Sequence, residues 1–195
     1  LLPGIHTLGM LGGGQLGRYF LISAKERGYR TVVWSDKPRF PSQHLADVSI
    51  QAPYDDEEAL AEFVKQVDAA TLEFENIPLA LLLRMEAAGL RVRPGSKAVA
   101  ICQNRVLERS FLVSEGINVT PHVPVYSEEA LRKAYTDLGE TACILKTSVM
   151  GYDGRGQREI NHADDLSPAW KALQGSATHP LLLERRIHFR REVSM

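Results

Sequence analysis

IHTLGMLGGGQLGRYFLISAKERGYRTVVWSD, residues 5–36, reads as strand, glycine turn, helix, strand and acid. Residues 5–11 are a short, mostly apolar run of the length of a buried strand. Gly12, Gly14 and Gly17 then give the spacing G-x-G-x-x-G, and Leu16 to Glu26 reads as a helix that stops at Gly28. Residues 31–35, TVVWS, make a second strand, closed by Asp36. This succession matches a Rossmann unit, in which the turn aims helix N–H groups at a phosphate. The glycines have a plainer use too, letting the first helix pack closely on its sheet. A strand-end acid at Asp36 keeps an NAD-dependent oxidoreductase among the readings.

Two more βα units follow. Val48 to Gln51 reads as a strand, and Asp55 to Val67 as an amphipathic helix with Leu60, Phe63, Val64 and Val67 on one face. Ala69 to Phe74 reads as the next strand; if it continues, Glu73 and Glu75 share one face. Ligands of open α/β sheets bind beyond the carboxyl ends of strands, which puts Glu73 beside the glycine turn. Asn76-Ile77-Pro78 starts a helix to about Ala88, and Pro94-Gly95 ends the first domain. A helical stretch is expected from Ser96 to Glu115, then a linker marked by Pro121 and Pro124, then a helix from Ser127 to Leu138. Further strands are expected at Pro180–Glu184 and Ile187–Met195, with a helix at Asp164–Leu173 before them.

The second informative stretch is KTSVMGYDGRGQ, residues 146–157. Lys146 ends the apolar run Cys143-Ile144-Leu145, and Gly151, Gly154 and Gly156 alternate with Tyr152, Asp153 and Arg155. Glycines let successive N–H groups turn inward as an anion-binding concavity, which a lysine and an arginine would complete as a polyphosphate site. A hairpin turn with glycines at positive φ is the alternative. The spacing is not that of a Walker P-loop.

Composition narrows the classes. With 44% hydrophobic and 24% charged residues among 195, a packed core is expected and disorder is not. A net charge of −1 argues against a general nucleic-acid binder, and no apolar run approaches a membrane span. No secretory signal is visible, and Cys102 and Cys143 show no CxxC spacing, so a cytoplasmic protein with reduced thiols is expected. The histidines show no zinc-ligand spacing, and the residues by themselves offer no metal site. The basic cluster Arg185, Arg186, Arg190 and Arg191 lacks aromatic platforms and reads as a solvated strand face rather than a nucleic-acid surface.

Taken in order, LGGGQLGR (11–18), EFENIP (73–78), RPG (93–95), KT (146–147), GYDGRGQ (151–157) and Glu184…Glu192-Val193-Ser194 resemble the 5-(carboxyamino)imidazole ribonucleotide synthetase family of ATP-grasp enzymes. The resemblance implies an α/β chain: a Rossmann-like pre-ATP-grasp domain at 1–95, a helical connection at 96–120, the α+β lid domain at 121–180, and first strands of an ATP-grasp core at 181–195. It spans the whole chain and about the first half of the family's length, so a fragment is expected.

The resemblance further implies ATP and Mg²⁺ as cofactors, aminoimidazole ribonucleotide and bicarbonate as substrates, a homodimer, and carboxylation through carboxyphosphate in purine biosynthesis. Carried over by position, Arg105 and Lys146 face the ATP phosphates, and Gly151, Tyr152, Asp153, Gly154, Arg155, Gly156 and Gln157 form the lid loop. Tyr152, Asp153 and Arg155 also touch the ribonucleotide and take the catalytic role. Glu184, Arg185, Arg186 and Ile187 form the hinge that reads adenine, and Glu192 holds the ribose. Gly14, Gln15, Leu16 and Glu73 contact the substrate. Asn104 and Arg109 depart from the Asp and Lys expected beside Arg105, and Leu72 stands where Tyr is usual. With no carboxylate pair left over for a metal, residues 1–195 alone are expected to bind nucleotide without turnover.

Overall fold

The apolar runs of the first hundred residues are short and separated by helical patterns, which is the arrangement of a parallel sheet covered on both faces. The computed structural model describes residues 3–151, 156–191 and 193, and it divides the chain into two units, 1–100 and 101–195. In the first unit β1 (Thr7–Leu11), α1 (Gln15–Glu26), β2 (Arg30–Ser35), β3 (Val48–Gln51), α2 (Glu57–Gln66), β4 (Ala69–Leu72), α3 (Leu79–Ala87), β5 (Arg91–Val92) and α4 (Ser96–Cys102) follow in order. All strands are parallel, in the order β3-β2-β1-β4-β5. The chain builds outward from β1 to β3, then returns to β4 on the other side. The point of reversal lies between β1 and β4, where such sheets open a crevice.

Alternation along the central strands feeds two cores. Leu11, Val32 and Trp34 pack with Phe63, Leu81 and Met85 on one face, and Met10 and Val33 pack with Leu21 and Phe40 on the other. Gly9 is required within β1, because a Cβ there would lie 2.5 Å from Phe63 Cζ. Asp56 caps α2, its side chain accepting from Ala59 N at 2.9 Å.

The second unit holds α5 (Arg105–Ser114), β6 (His122–Val125), α6 (Glu128–Asp137), β7 (Cys143–Thr147), β8 (Gln157–Ile160), α7 (Leu166–Ala172) and β9 (Leu181–Arg185). Its antiparallel sheet runs β6-β9-β7-β8. Cys143, Leu145, Leu181 and Leu183 point into a core with Leu131, Tyr135, Leu166 and Trp170. The period of two then sends Ile144, Lys146, Leu182 and Glu184 to the opposite face.

Three expectations are corrected. The helix anticipated over Ser96–Glu115 is broken, because Asn104 takes extended backbone and caps α5, its Oδ1 accepting from Val106 N (2.9 Å) and Leu107 N (3.3 Å). The strand read to Phe74 stops at Leu72, so Glu73 and Glu75 are not on its face. The strand read over 187–195 does not form among the described residues; Ile187 and Phe189 are exposed and no neighbouring strand pairs with that segment. Glu192, Ser194 and Met195 lie outside the described residues.

Candidate functional site

In the second unit the site is built on adjacent strands. β7 pairs with β9 so that Ile144 stands opposite Glu184 and Lys146 opposite Leu182. Lys146 and Glu184 are therefore diagonal neighbours on one face, within reach of a long side chain. Lys146 Nζ donates to Glu184 Oε2. The other oxygen, Oε1, accepts from Arg109 Nε at 2.8 Å, and α5 supplies that arginine. Glu184 is 3% exposed. Burial pushes its carboxyl pKa up, but Lys146 and Arg109 outweigh burial and hold it below the usual glutamate value. One carboxylate thus organises two cations, and Arg109 Nη1 also donates to Glu108 Oε2 at 3.1 Å.

Arg105, the first residue of α5, is turned to the strand end. Its Nη1 donates to Thr147 O and its Nη2 to Gly151 O, both at 2.7 Å, and its backbone N–H donates to Ser148 O at 2.8 Å. A Cβ on Gly151 would lie 2.5 Å from Arg105 Nη1, so any larger residue there would displace the guanidinium. Gly156 has φ +69 and its O accepts from Thr147 N at 2.8 Å, extending the antiparallel pairing of β7 and β8 by one bond. Gln157 opens β8 opposite Lys146. The expectation that Arg105 faces phosphates thus meets a guanidinium that holds the root of the loop. Thr147 Oγ1 is buried without a hydrogen-bond partner among the described residues. A cavity of about 370 Å³ opens beside Thr147, Ser148 and Met150, walled by Leu173, His179 and Pro180.

The hinge is partly committed to the fold. Arg185 N donates to Pro121 O (2.9 Å), Arg185 O accepts from Thr120 Oγ1 (2.9 Å), and Arg186 N donates to Ala142 O (2.8 Å). Ile187 N–H has no hydrogen-bond partner among the described residues. Arg185 Nη2 donates to Leu138 O and Arg186 pairs with Glu159, so these members of the basic cluster serve packing. Tyr152, Asp153 and Arg155, to which the resemblance gave the catalytic role, lie outside the described residues, as do the lid-loop Gly154 and the ribose candidate Glu192.

In the first unit Glu73 lies beside the glycine turn as expected, and its carboxylate occupies the N–H groups there. Glu73 Oε2 accepts from Gly14 N at 2.6 Å, and Oε1 accepts from Leu16 N at 3.1 Å and Gly17 N at 3.2 Å. The carboxylate thus sits on the first N–H groups of α1. A cavity of about 360 Å³ lies alongside, lined by the turn, Asp36, Lys37, Arg39, Phe40 and Phe74. Gln15, another candidate, begins α1 there. Asp36 pairs with Lys37 at 3.4 Å.

Sequence reasoning missed the side-chain role of Glu184 and counted Arg109 only as a departure. The signal available was a glutamate at the end of a strand of leucines, since a buried charge needs a partner. The described carboxylates do not make a Mg²⁺ donor set. Glu184 is neutralised by two cations, Asp165 accepts from Asn161 N and His162 N, and Glu159 holds Arg186. Among the described residues no three His, Cys, Asp or Glu side chains cluster as metal ligands. No helix among them is long and apolar enough to cross a membrane.

Comparison with known proteins matches these geometries. The model of the ribonucleotide synthetase pre-ATP-grasp domain covers residues 5–103, and that of the ATP-grasp domain covers residues 110–195. N5-carboxyaminoimidazole ribonucleotide synthase of Brucella melitensis is 38% identical over 195 residues, covering 100% of this chain and 53% of its own. N5-carboxyaminoimidazole synthetase from Staphylococcus aureus, solved with ADP, is 34% identical with a TM-score of 0.86, over 95% of this chain and 48% of its own. The Aspergillus clavatus synthase, solved with ADP and 5-aminoimidazole ribonucleotide, is 25% identical with a TM-score of 0.79, over 96% and 48%. The chain spans about half the length of these relatives.

Proposed function

The chain belongs to the family of ribonucleotide synthetases built on this pre-ATP-grasp domain, and from that premise we propose that it serves the ATP-dependent carboxylation of aminoimidazole ribonucleotide with bicarbonate, in purine biosynthesis. The observation that carries the reading is the Lys146–Glu184–Arg109 cluster at the root of a glycine loop. A lysine held by a buried carboxylate on a rigid sheet is pre-positioned for a nucleotide phosphate, because its location is fixed before the ligand arrives. The N–H of Ile187, without a partner among the described residues, offers adenine a donor two residues beyond the end of β9.

In the proposed reaction a bicarbonate oxygen attacks the γ-phosphorus of ATP and ADP leaves, giving carboxyphosphate. The exocyclic amine of the ribonucleotide then attacks the carboxyl carbon, phosphate leaves, and the nitrogen loses a proton to give the carbamate. Lys146 binds and orients phosphate oxygens, and the glycine loop with Tyr152, Asp153 and Arg155 excludes water from the labile acyl phosphate. Gly14, Gln15, Leu16 and Glu73 are proposed to contact the ribonucleotide, and Glu192 the ribose of ATP. The described residues do not fit a resident Mg²⁺, so no step is assigned to one. A homodimer in the cytoplasm completes the proposal. In a protein carrying this chain at its relatives' length, phosphate release should require both bicarbonate and aminoimidazole ribonucleotide, and be lost in Lys146→Ala. Release that ignores the ribonucleotide would overturn the substrate assignment.

A further inference from the structure

The ligase reading sets Gly14, Gln15, Leu16 and Glu73 against the ribonucleotide but gives the phosphate-cradle spacing of the G-x-G-x-x-G turn, Gly12, Gly14 and Gly17, no phosphate to hold. We infer that Glu73 is a specificity determinant that acts as an internal anion: its carboxylate fills the phosphate cradle of this turn and closes it to mononucleotide and dinucleotide phosphates. It rests on the Glu73 geometry, and it leaves the ribonucleotide contacts proposed above to atoms of Gly14, Gln15, Leu16 and Glu73 other than the N–H groups that Glu73 occupies. The three N–H groups that a pyrophosphate would need, on Gly14, Leu16 and Gly17, all point at Glu73 oxygens. Two of the glycines leave room for this side chain: a Cβ on Gly12 would lie 2.8 Å from Glu73 Cβ and 2.8 Å from Oε2, and a Cβ on Gly14 would collide with Oε1. Gly17 answers to the turn itself, since a Cβ there would lie 2.8 Å from Gly12 O.

The plug is also short and tethered. Glu73 N donates to Leu11 O at 2.8 Å, continuing the β1–β4 pairing by one residue, so the side chain needs no further ordering to reach α1. A diffusing phosphate competes with a carboxylate already in place, and an intramolecular ligand holds that advantage through its effective concentration. The adjoining cavity is lined by Asp36, Glu73, Lys37 and Arg39 together with Phe40 and Phe74. The exclusion is confined to the helix end, where the three N–H groups are already taken by Glu73. The turn keeps its Rossmann sequence because the same N–H geometry is used, with the anion supplied from the end of β4.

Hydrogen exchange of the peptide spanning Gly12–Tyr19, with inorganic pyrophosphate as probe, tests this on the wild type, Glu73→Ala and Glu73→Gln. In the wild type the Gly14, Leu16 and Gly17 amides should be protected, with no change on adding pyrophosphate. Glu73→Ala should lose that protection and regain it with pyrophosphate, its Tm rising by about 3–6 °C more than the wild type's at ten times Kd. Glu73→Gln still fills the cradle with its amide, so it should lose stability without gaining a response. If Glu73→Ala does not fold in buffer, recovery of its helical circular dichroism by pyrophosphate supports the proposal, and no recovery counts against it. A wild type that binds pyrophosphate at this peptide as Glu73→Ala does, or an alanine variant whose amides stay protected unaided, overturns it.

Discussion

Glu184→Gln is the perturbation whose size follows most directly from the geometry. Glu184 is 3% exposed and both of its oxygens are engaged, one by Arg109 Nε at 2.8 Å and the other by Lys146 Nζ. Removing one partner of a buried ion pair costs about 3–5 kcal/mol. Glutamine keeps the shape and one acceptor, and the Lys146 and Arg109 side chains are each 20% exposed, so water relieves part of that loss. The expected cost is about 2 kcal/mol, read as a shift of the urea midpoint of the second unit. The pH dependence has a fixed sign. The folded carboxyl has a lowered pKa, so the unfolded chain binds the proton more readily. Its stabilisation is complete above the ordinary glutamate pKa and falls away as the pH drops through the folded value. Wild type and Glu184→Gln should therefore differ at neutral pH and converge in acid. A loss below about 0.5 kcal/mol at pH 7, the size of a surface change, would refute the reasoning, and so would a difference that persists in acid.

Three smaller perturbations follow from local geometry. Gly9→Ala should destabilise the first unit by about 1–3 kcal/mol, because its Cβ would overpack Phe63 and Val67; thermal unfolding checks this. Asn104→Ala should cost about 1 kcal/mol by removing the cap of α5, with fraying visible as faster exchange of the Val106 and Leu107 amides. Burial raises the Asp47 pKa, but hydrogen bonds from Lys25 and Thr31 bring it to about 2 from 3.8, so its stabilisation is present above pH 3.8 and lost towards pH 2. Asp47→Asn should flatten that acid limb in urea titrations.

The elements legible in the sequence were those whose apolar pattern is local. Buried strands such as residues 31–35 and the amphipathic helix carrying Leu60 and Phe63 needed no distant information. Lys146 beside its glycine loop was legible because both partners of the motif are contiguous. The break before α5 was missed since Asn104 interrupts a helical pattern by a single capping residue, although asparagine at that place is a start signal. The strand expected over 187–195 has no pairing partner among the described residues, and a local stretch cannot supply one. Glu73 on the turn and Arg109 on Glu184 join residues 56 to 75 positions apart. Such pairs exist only once strand order is set, and that order, β3-β2-β1-β4-β5 and β6-β9-β7-β8, is carried by no single segment.

The central claim is that nucleotide is held by the second unit's lysine and glycine loop and not by the first unit's Rossmann turn. Calorimetric titration of the chain with ATP in Mg²⁺ buffer and, separately, with NAD tests it most directly. The account predicts that ATP binds at least about tenfold more tightly than NAD, and that Lys146→Ala weakens ATP by about 1.5–3 kcal/mol, one charge-assisted phosphate contact. NAD binding as tight as ATP, or ATP binding indifferent to Lys146, would contradict it.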